Sequence, residues 1–293
     1  VIKKNHILSA SQFSNKLYLR HLFSLTDTIQ TFPDQINTLK PLKDLTLATL
    51  FYEPSTRTRL SFEAAIQNLG GHVISTEHAG EFSSHVKGES LEDTIRVIGG
   101  YAQGIILRHP EAGSAERAAK VSDVPIINAG DGAAEHPTQA LLDLYSIWRA
   151  KGQIDGLKIG FAGDFLYSRT VNSLMTLLAN YDVNVVRGPD YSGLLTLDVL
   201  YVTRFQKERR PDTATEHDFI LTLDLVNQMK EDAIILHPLP RLDEIELAVD
   251  DDPRAYYFQQ AKNGLFLRMA LLCSLYDNMM LLYDLPDGIS LKV

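Results

Sequence analysis

The sequence predicts an α/β protein made of two similar parallel-sheet domains joined by helices. Three observations carry that expectation. At roughly 150 residues per domain, 293 residues leave room for two cores. Short apolar runs alternate with longer stretches of helical periodicity, the pattern of strands and crossover helices in a parallel sheet. That alternation begins at Leu45 and restarts at Leu157.

In the first half, Leu45 to Phe51 reads as a buried strand, followed by the turn Pro54-Ser55-Thr56-Arg57-Thr58-Arg59. A helix comes next, with Phe62, Ala65, Ile66 and Leu69 on one face and Gly70-Gly71 closing it. Val73 to Ser75 starts a second strand. After a polar loop, Ser90 and Asp93 stand at capping-box spacing before a helix from Leu91, with Asp in place of Glu. Ile105 to Leu107 and Pro125 to Ile127 complete the series, and Asn128-Ala129-Gly130-Asp131-Gly132 ends it. Pro137 then suits the first position of a long helix through Leu141, Leu144, Tyr145 and Trp148, which serves as the domain connector.

In the second half, strands are expected at Leu157 to Phe161, Val183 to Val186, Val199 to Val202 and Ile234 to Leu236, with a helix from Thr170 to Ala179. The stretch from Tyr256 to Met280 is apolar at helical spacing and long enough to reach back to the first half. The expected organisation is a first domain over residues 1–136, a connecting helix over 137–150, a second domain over 151–265 and a C-terminal helix over 266–293.

Composition narrows the function. Apolar residues make up 45% and charged residues 22%, which excludes collagen-like and disordered classes. The net charge of −9 has the wrong sign for a nucleic-acid partner. The single cysteine, Cys273, can form no internal disulfide, which points to a reducing compartment, here the cytosol. No apolar run approaches the length of a membrane span, and the start Val-Ile-Lys-Lys-Asn-His has no secretory apolar core, so no membrane association is expected.

Where a parallel strand turns into a helix, free backbone N–H groups and the helix dipole attract anions. Ser55, Thr56, Arg57 and Thr58 occupy that place, offering three hydroxyls and one planar fork of donors. Neither GxxxxGK[ST] nor GxGxxG follows a strand, so a small phosphate compound fits better than a nucleotide. On local chemistry alone, helix caps beside solvated arginines stand as the alternative.

The string Ser-Thr-Arg-Thr-Arg after a buried strand, with Arg108-His109-Pro110, His136-Pro137-Thr138-Gln139 and His237-Pro238-Leu239-Pro240, resembles the carbamoyltransferase family over nearly the whole chain. Two features resemble its aspartate-using branch. His-Pro-Leu-Pro stands where ornithine-type members carry His-Cys-Leu-Pro, and Thr203-Arg204-Phe205-Gln206-Lys207-Glu208-Arg209 is similar to the aspartate loop. The resemblance implies transfer of the carbamoyl group of carbamoyl phosphate to the amino group of L-aspartate, an early step of pyrimidine synthesis, with no cofactor and no metal.

The same resemblance implies the site. Ser55, Thr56, Arg57 and Thr58 match the phosphate cradle, Arg108 the arginine bridging phosphate and carbonyl, and His136 the donor to the carbonyl oxygen. Gln139 matches the residue holding the carbamoyl amino group, to which Pro238 and Leu239 would offer backbone carbonyls. Arg169, Arg204 and Gln206 match the aspartate side, where two carboxylates call for two arginine forks. Ser83 and Lys87 match residues that enter a neighbouring subunit's site, which implies a homotrimer with shared sites. Glu53, Arg169 and Arg209 match interdomain ion pairs of the family. Association with a regulatory chain or a dihydroorotase partner is left open.

The chain also departs from the pattern. Only Arg187 to Leu197 lie between Val186 and Asp198, where the family places helix, strand and helix, and a parallel crossover needs about a dozen residues. Either residues are absent from this sequence or the second domain is shortened with a reduced sheet, and Arg210 to Phe219 looks shortened too. This keeps two alternatives in view: a catalytically impaired homologue acting as scaffold or partner subunit, and a carbamoyltransferase for another amine acceptor.

Overall fold

The computed structural model describes residues 5–77, 79, 88–164, 168–187, 191–204 and 219–276. The chain divides into two compact units, one formed by residues up to Thr138 with the chain from Gly264 onward, the other by Gln139–Asn263.

The first unit opens with helices α1 (Lys16–Thr31) and α2 (Pro33–Leu39). Then follow β1 (Thr46–Phe51), α3 (Thr56–Asn68), β2 (His72–Glu77), α4 (Leu91–Gly99), β3 (Gly104–His109), α5 (Ser114–Val121) and β4 (Ile126–Asp131). All four strands are parallel in the order β2-β1-β3-β4. The inner strands read as continuous apolar runs because both faces are covered. On one face Ala48, Leu50, Ile105, Leu107 and Ile126 pack against Leu91 and Ile95 of α4 and Ala118 of α5. Ser90 caps α4 by accepting the Asp93 N–H at 3.1 Å. The Asp93 carboxylate pairs instead with Arg96 at 3.0 Å, so half of the capping box forms.

Strand β4 runs past Ile127 and takes in Asn128 to Asp131, which the sequence placed beyond the strand. The polar residues remain buried because their groups are satisfied. The Asn128 N–H donates to the Ile7 carbonyl at 2.7 Å, and its Nδ2 donates to the Leu8 carbonyl at 2.9 Å.

Helix α6 (Pro137–Lys151) begins at the proline, as its missing N–H favours. The second unit then contains β5 (Lys158–Gly163), α7 (Arg169–Leu178), β6 (Asn184–Arg187), β7 (Val199–Thr203) and β8 (Ile234–Leu236), with single helical turns at Tyr191–Leu194 and Leu223–Val226. Its strands are again parallel, in the order β6-β5-β7-β8. Helix α8 (Tyr257–Leu275) follows.

The connection from β6 to β7 is short, in keeping with the expected shortening of this unit. Between β6 and β7 the described residues hold one helical turn, Tyr191–Leu194, in place of a full helix. Leu194 and Leu197 bury themselves in the core of this unit. Leu197 packs directly on Gly160 of β5, where a Cβ would overlap its side chain. Asp198 then anchors the start of β7, accepting the Lys158 N–H and the Lys230 ammonium, each at 2.7 Å.

Candidate active site

Both sheets share one property. The strand order reverses direction between β1 and β3 in the first unit and between β5 and β7 in the second, and crevices open at the carboxyl ends of such strand pairs. Every described candidate residue except His136 and Gln139 follows, or lies at the end of, a strand of its own unit; His136 lies just before α6 and Gln139 on its first turn.

In the first unit, Ser55 takes the N-cap position of α3 without its hydroxyl accepting a helix N–H. The first turn thus keeps its N–H groups for another acceptor. Thr58 is buried and Arg57 is exposed. Surrounding protein nevertheless removes enough water from Arg57 to lower its pKa, and no carboxylate among the described residues offsets that. Arg59 is tied off, with Glu63 at 3.2 Å and Glu77 at 2.8 Å. Of the two arginines in the string, only Arg57 forms no ion pair among the described residues. An anion on this turn would restore what desolvation takes from it.

Arg108 on β3 donates from Nη1 to the Ala129 carbonyl at 3.3 Å, with its Nε 3.4 Å from a Glu53 carboxylate oxygen. Glu53 therefore has a partner inside its own unit. His136 lies directly before α6 and is 4% exposed. The loop that delivers it is organised by Asp131, which accepts from Asn128 Nδ2 at 3.2 Å and from the Gly113 N–H at 3.0 Å. The Asp131 N–H donates to the Glu135 carbonyl at 3.2 Å.

In the second unit, Gln139 lies on the first turn of α6 and donates from Nε2 to Asp143 at 2.8 Å. Arg169 opens α7 after β5 and is buried, while Arg204 directly follows β7 and is half-buried. Their strands are register partners at Gly163 and Thr203. Gly163 has φ of +80°, and a Cβ there would overlap the Thr203 carbonyl. Only glycine lets the two strand ends approach this closely.

Pro238 and Leu239 follow β8 in a turn fixed by His237 and Glu244. The Leu239 N–H donates to His237 Nδ1 at 2.8 Å, which leaves the ring proton on Nε2 for Glu244, 2.7 Å away. Burial pushes the Glu244 pKa up, but hydrogen bonds from His237 and from the Glu244 and Leu242 amides outweigh it and leave the group below its ordinary value. Leu239 takes a φ of +54°, held by these bonds.

Ser83, Lys87, Gln206 and Arg209 lie outside the described residues. The sequence reading missed Asp131, Asp143 and Glu244, because a buried acid that orients a neighbour leaves no motif of its own. Among the described residues, no group of three or more His, Cys, Asp or Glu side chains could hold a metal ion, and no helix is long and apolar enough to cross a membrane.

Two parallel sheets with arginines where adjacent strands diverge define a two-unit α/β enzyme for anionic substrates. A family model described as the carbamoyl-P binding domain of aspartate/ornithine carbamoyltransferase matches residues 5–149, and its Asp/Orn binding domain matches residues 189–275. The chain belongs to the aspartate/ornithine carbamoyltransferase family. It is 46% identical to a pea chloroplastic aspartate carbamoyltransferase, covering 91% of this chain and 77% of that one. It is 48% identical to the aspartate carbamoyltransferase catalytic subunit of Nitrosopumilus maritimus, covering 91% and 94%. Among solved structures, it is similar to Trypanosoma cruzi aspartate transcarbamoylase in complex with N-(phosphonacetyl)-L-aspartic acid, with TM-score 0.86, 36% identity and coverage of 93% and 96%. The catalytic subunit of M. jannaschii aspartate transcarbamoylase gives TM-score 0.84, 42% identity and coverage of 93% and 98%. The pea alignment runs over 298 residues while covering 91% of this 293-residue chain, so that relative carries internal residues absent here.

Proposed function

We propose that this chain transfers the carbamoyl group of carbamoyl phosphate to the α-amino group of L-aspartate, giving N-carbamoyl-L-aspartate and phosphate for pyrimidine synthesis. One observation carries the reading: arginines stand at the strand ends of both sheets, Arg57 and Arg108 in one unit and Arg169 and Arg204 in the other. The first pair suits a phosphate. The second suits a dicarboxylate and would repel the cationic side chain of ornithine.

The neutral amino group of aspartate attacks the carbonyl carbon, a C–N bond forms, the bond to the phosphate oxygen breaks, and the proton lost from the nitrogen leaves with the phosphate. Negative charge grows on the carbonyl oxygen and on the departing phosphate, so donors fixed in advance at those atoms lower the barrier. Arg57, Ser55, Thr56, Thr58 and the first-turn N–H groups of α3 hold the phosphate. Arg108 and His136 donate to the carbonyl oxygen, and a neutral imidazole suffices for that. Gln139 and the Pro238 and Leu239 carbonyls hold the carbamoyl amino group.

The proposal includes a homotrimer in which Ser83 and Lys87 complete a neighbour's site, supported by their place in the family string. It includes a reducing compartment, the cytosol in the simplest case, supported by the lone buried thiol of Cys273.

Calorimetry with a bisubstrate analogue carrying phosphonate and aspartate groups tests the reading. Binding at least about 100-fold tighter than either substrate supports it. A folded chain that binds phosphate but not the analogue would instead be a non-catalytic homologue.

A further inference from the structure

Asp143 is completely buried on α6, and nothing in the reaction touches it. Three donors converge on its carboxylate. Gln139 Nε2 and Gln260 Nε2 reach Oδ1 at 2.8 and 2.6 Å, and the Tyr201 hydroxyl reaches Oδ2 at 2.8 Å. Tyr201 belongs to β7 and Gln260 to α8, so one acid gathers groups from three elements of the second unit. A buried charge is costly unless hydrogen bonds satisfy it, and here side chains from three elements supply them.

The orientation of each amide follows from these partners. A carboxylate can only accept, so Gln139 must turn Nε2 toward Asp143 and its Oε1 the opposite way. Gln260 Oε1 accepts the His237 N–H at 2.9 Å, which places its Nε2 on Asp143 without ambiguity. His237 in turn fixes Leu239 through the 2.8 Å bond to its N–H.

We propose that Asp143 is the positioning residue of the carbamoyl side: it locks Gln139 with Oε1 as an acceptor for the carbamoyl amino group and, through Gln260, fixes the His237–Pro240 turn. The proposal rests on the site reading above. Without Asp143, Gln139 can flip its amide and present N–H groups to N–H groups, while Gln260 loses its hold on the turn.

A double-mutant cycle tests this with carbamoyl phosphate as the varied substrate. Asp143→Leu should lower kcat/KM at least about 30-fold in the parent chain, and at least about fivefold less in a Gln139→Ala background. Asp143→Asn, which keeps an acceptor for both amides, should stay within about threefold of the parent. Equal losses in both backgrounds overturn the proposal. Should Asp143→Leu not fold, a reciprocal exchange reads the same contact. Gln139→Glu alone sets two carboxylates together and should lose activity, while Gln139→Glu with Asp143→Asn restores a donor between them and should regain at least about tenfold. No recovery in a folded double variant overturns the proposal. A parent chain that forms no carbamoyl-aspartate overturns the site reading and this proposal together, whereas an active parent with additive losses overturns this proposal alone.

Discussion

Phe51, the last residue of β1, is the register partner of Arg108 on β3. One residue further on, the Tyr52 N–H donates to the Arg108 carbonyl at 2.9 Å. The turn into α3 therefore leaves the sheet from a point locked to the backbone of Arg108. Parallel pairing in this register places the Ser55–Thr58 turn and the Arg108 guanidinium at one end of one strand pair, although 50 residues of sequence separate them.

Arg57 is the cation of that turn with no ion pair among the described residues, so its loss should fall on the phosphate. Arg57→Ala is expected to lower kcat/KM for carbamoyl phosphate at least about 100-fold, and Arg57→Lys to recover only part, since an ammonium lacks the planar fork. If sites are shared, mixing Arg57→Ala subunits with Lys87→Ala subunits should restore activity through hybrid trimers. Steady-state kinetics on reassembled mixtures reads this, and a mixture no more active than its parts contradicts sharing.

Arg204 directly follows β7 and is half-buried. Losing a charge-assisted contact to a carboxylate there should weaken aspartate by about 2 kcal/mol, a ~30-fold rise in its KM. Carbamoyl phosphate should be affected less than about twofold by Arg204→Leu. Equal effects on both substrates would remove Arg204 from the aspartate side.

Gly163 combines positive φ with contact against the Thr203 carbonyl. Gly163→Ala must strain the backbone and part β5 from β7, at a loss of roughly 2–4 kcal/mol in unfolding free energy. Urea denaturation measures it, and a change under about 0.5 kcal/mol would show that the strand ends relax freely.

Glu244 has a pKa below its ordinary 4.5. A depressed carboxylate contributes stability that is complete above the unfolded-state value and disappears as pH falls through the folded-state value. Wild-type stability should therefore decline on acidification below about pH 4.5, and Glu244→Gln should flatten that decline. Unfolding curves at stepped pH compare the two slopes. Identical slopes would assign the acid sensitivity to other carboxylates.

The fold was legible in the sequence where apolar runs were continuous. Val199 to Val202 and Ile234 to Leu236 are strands buried on both faces, and their composition says so. Asn128 to Asp131 was misread because a buried polar strand end looks like a loop until Ile7 and Leu8 are known to pair beside it. The shortness of the crossover was legible from its length, whereas the packing of Leu197 on Gly160 was not, being a contact between positions far apart in sequence. Site residues in contiguous strings, such as Ser55 to Thr58, could be read directly. Asp143 could not, since its meaning lies in Tyr201 and Gln260, which only the fold brings to it.

The most direct test of the central claim is product formation by the purified chain given carbamoyl phosphate with L-aspartate, and in parallel with L-ornithine. The structure predicts carbamoyl-aspartate and phosphate in equal amounts, with no citrulline. No product from either acceptor, in a folded chain that still binds carbamoyl phosphate, would contradict it and leave the protein a binding subunit with the family fold.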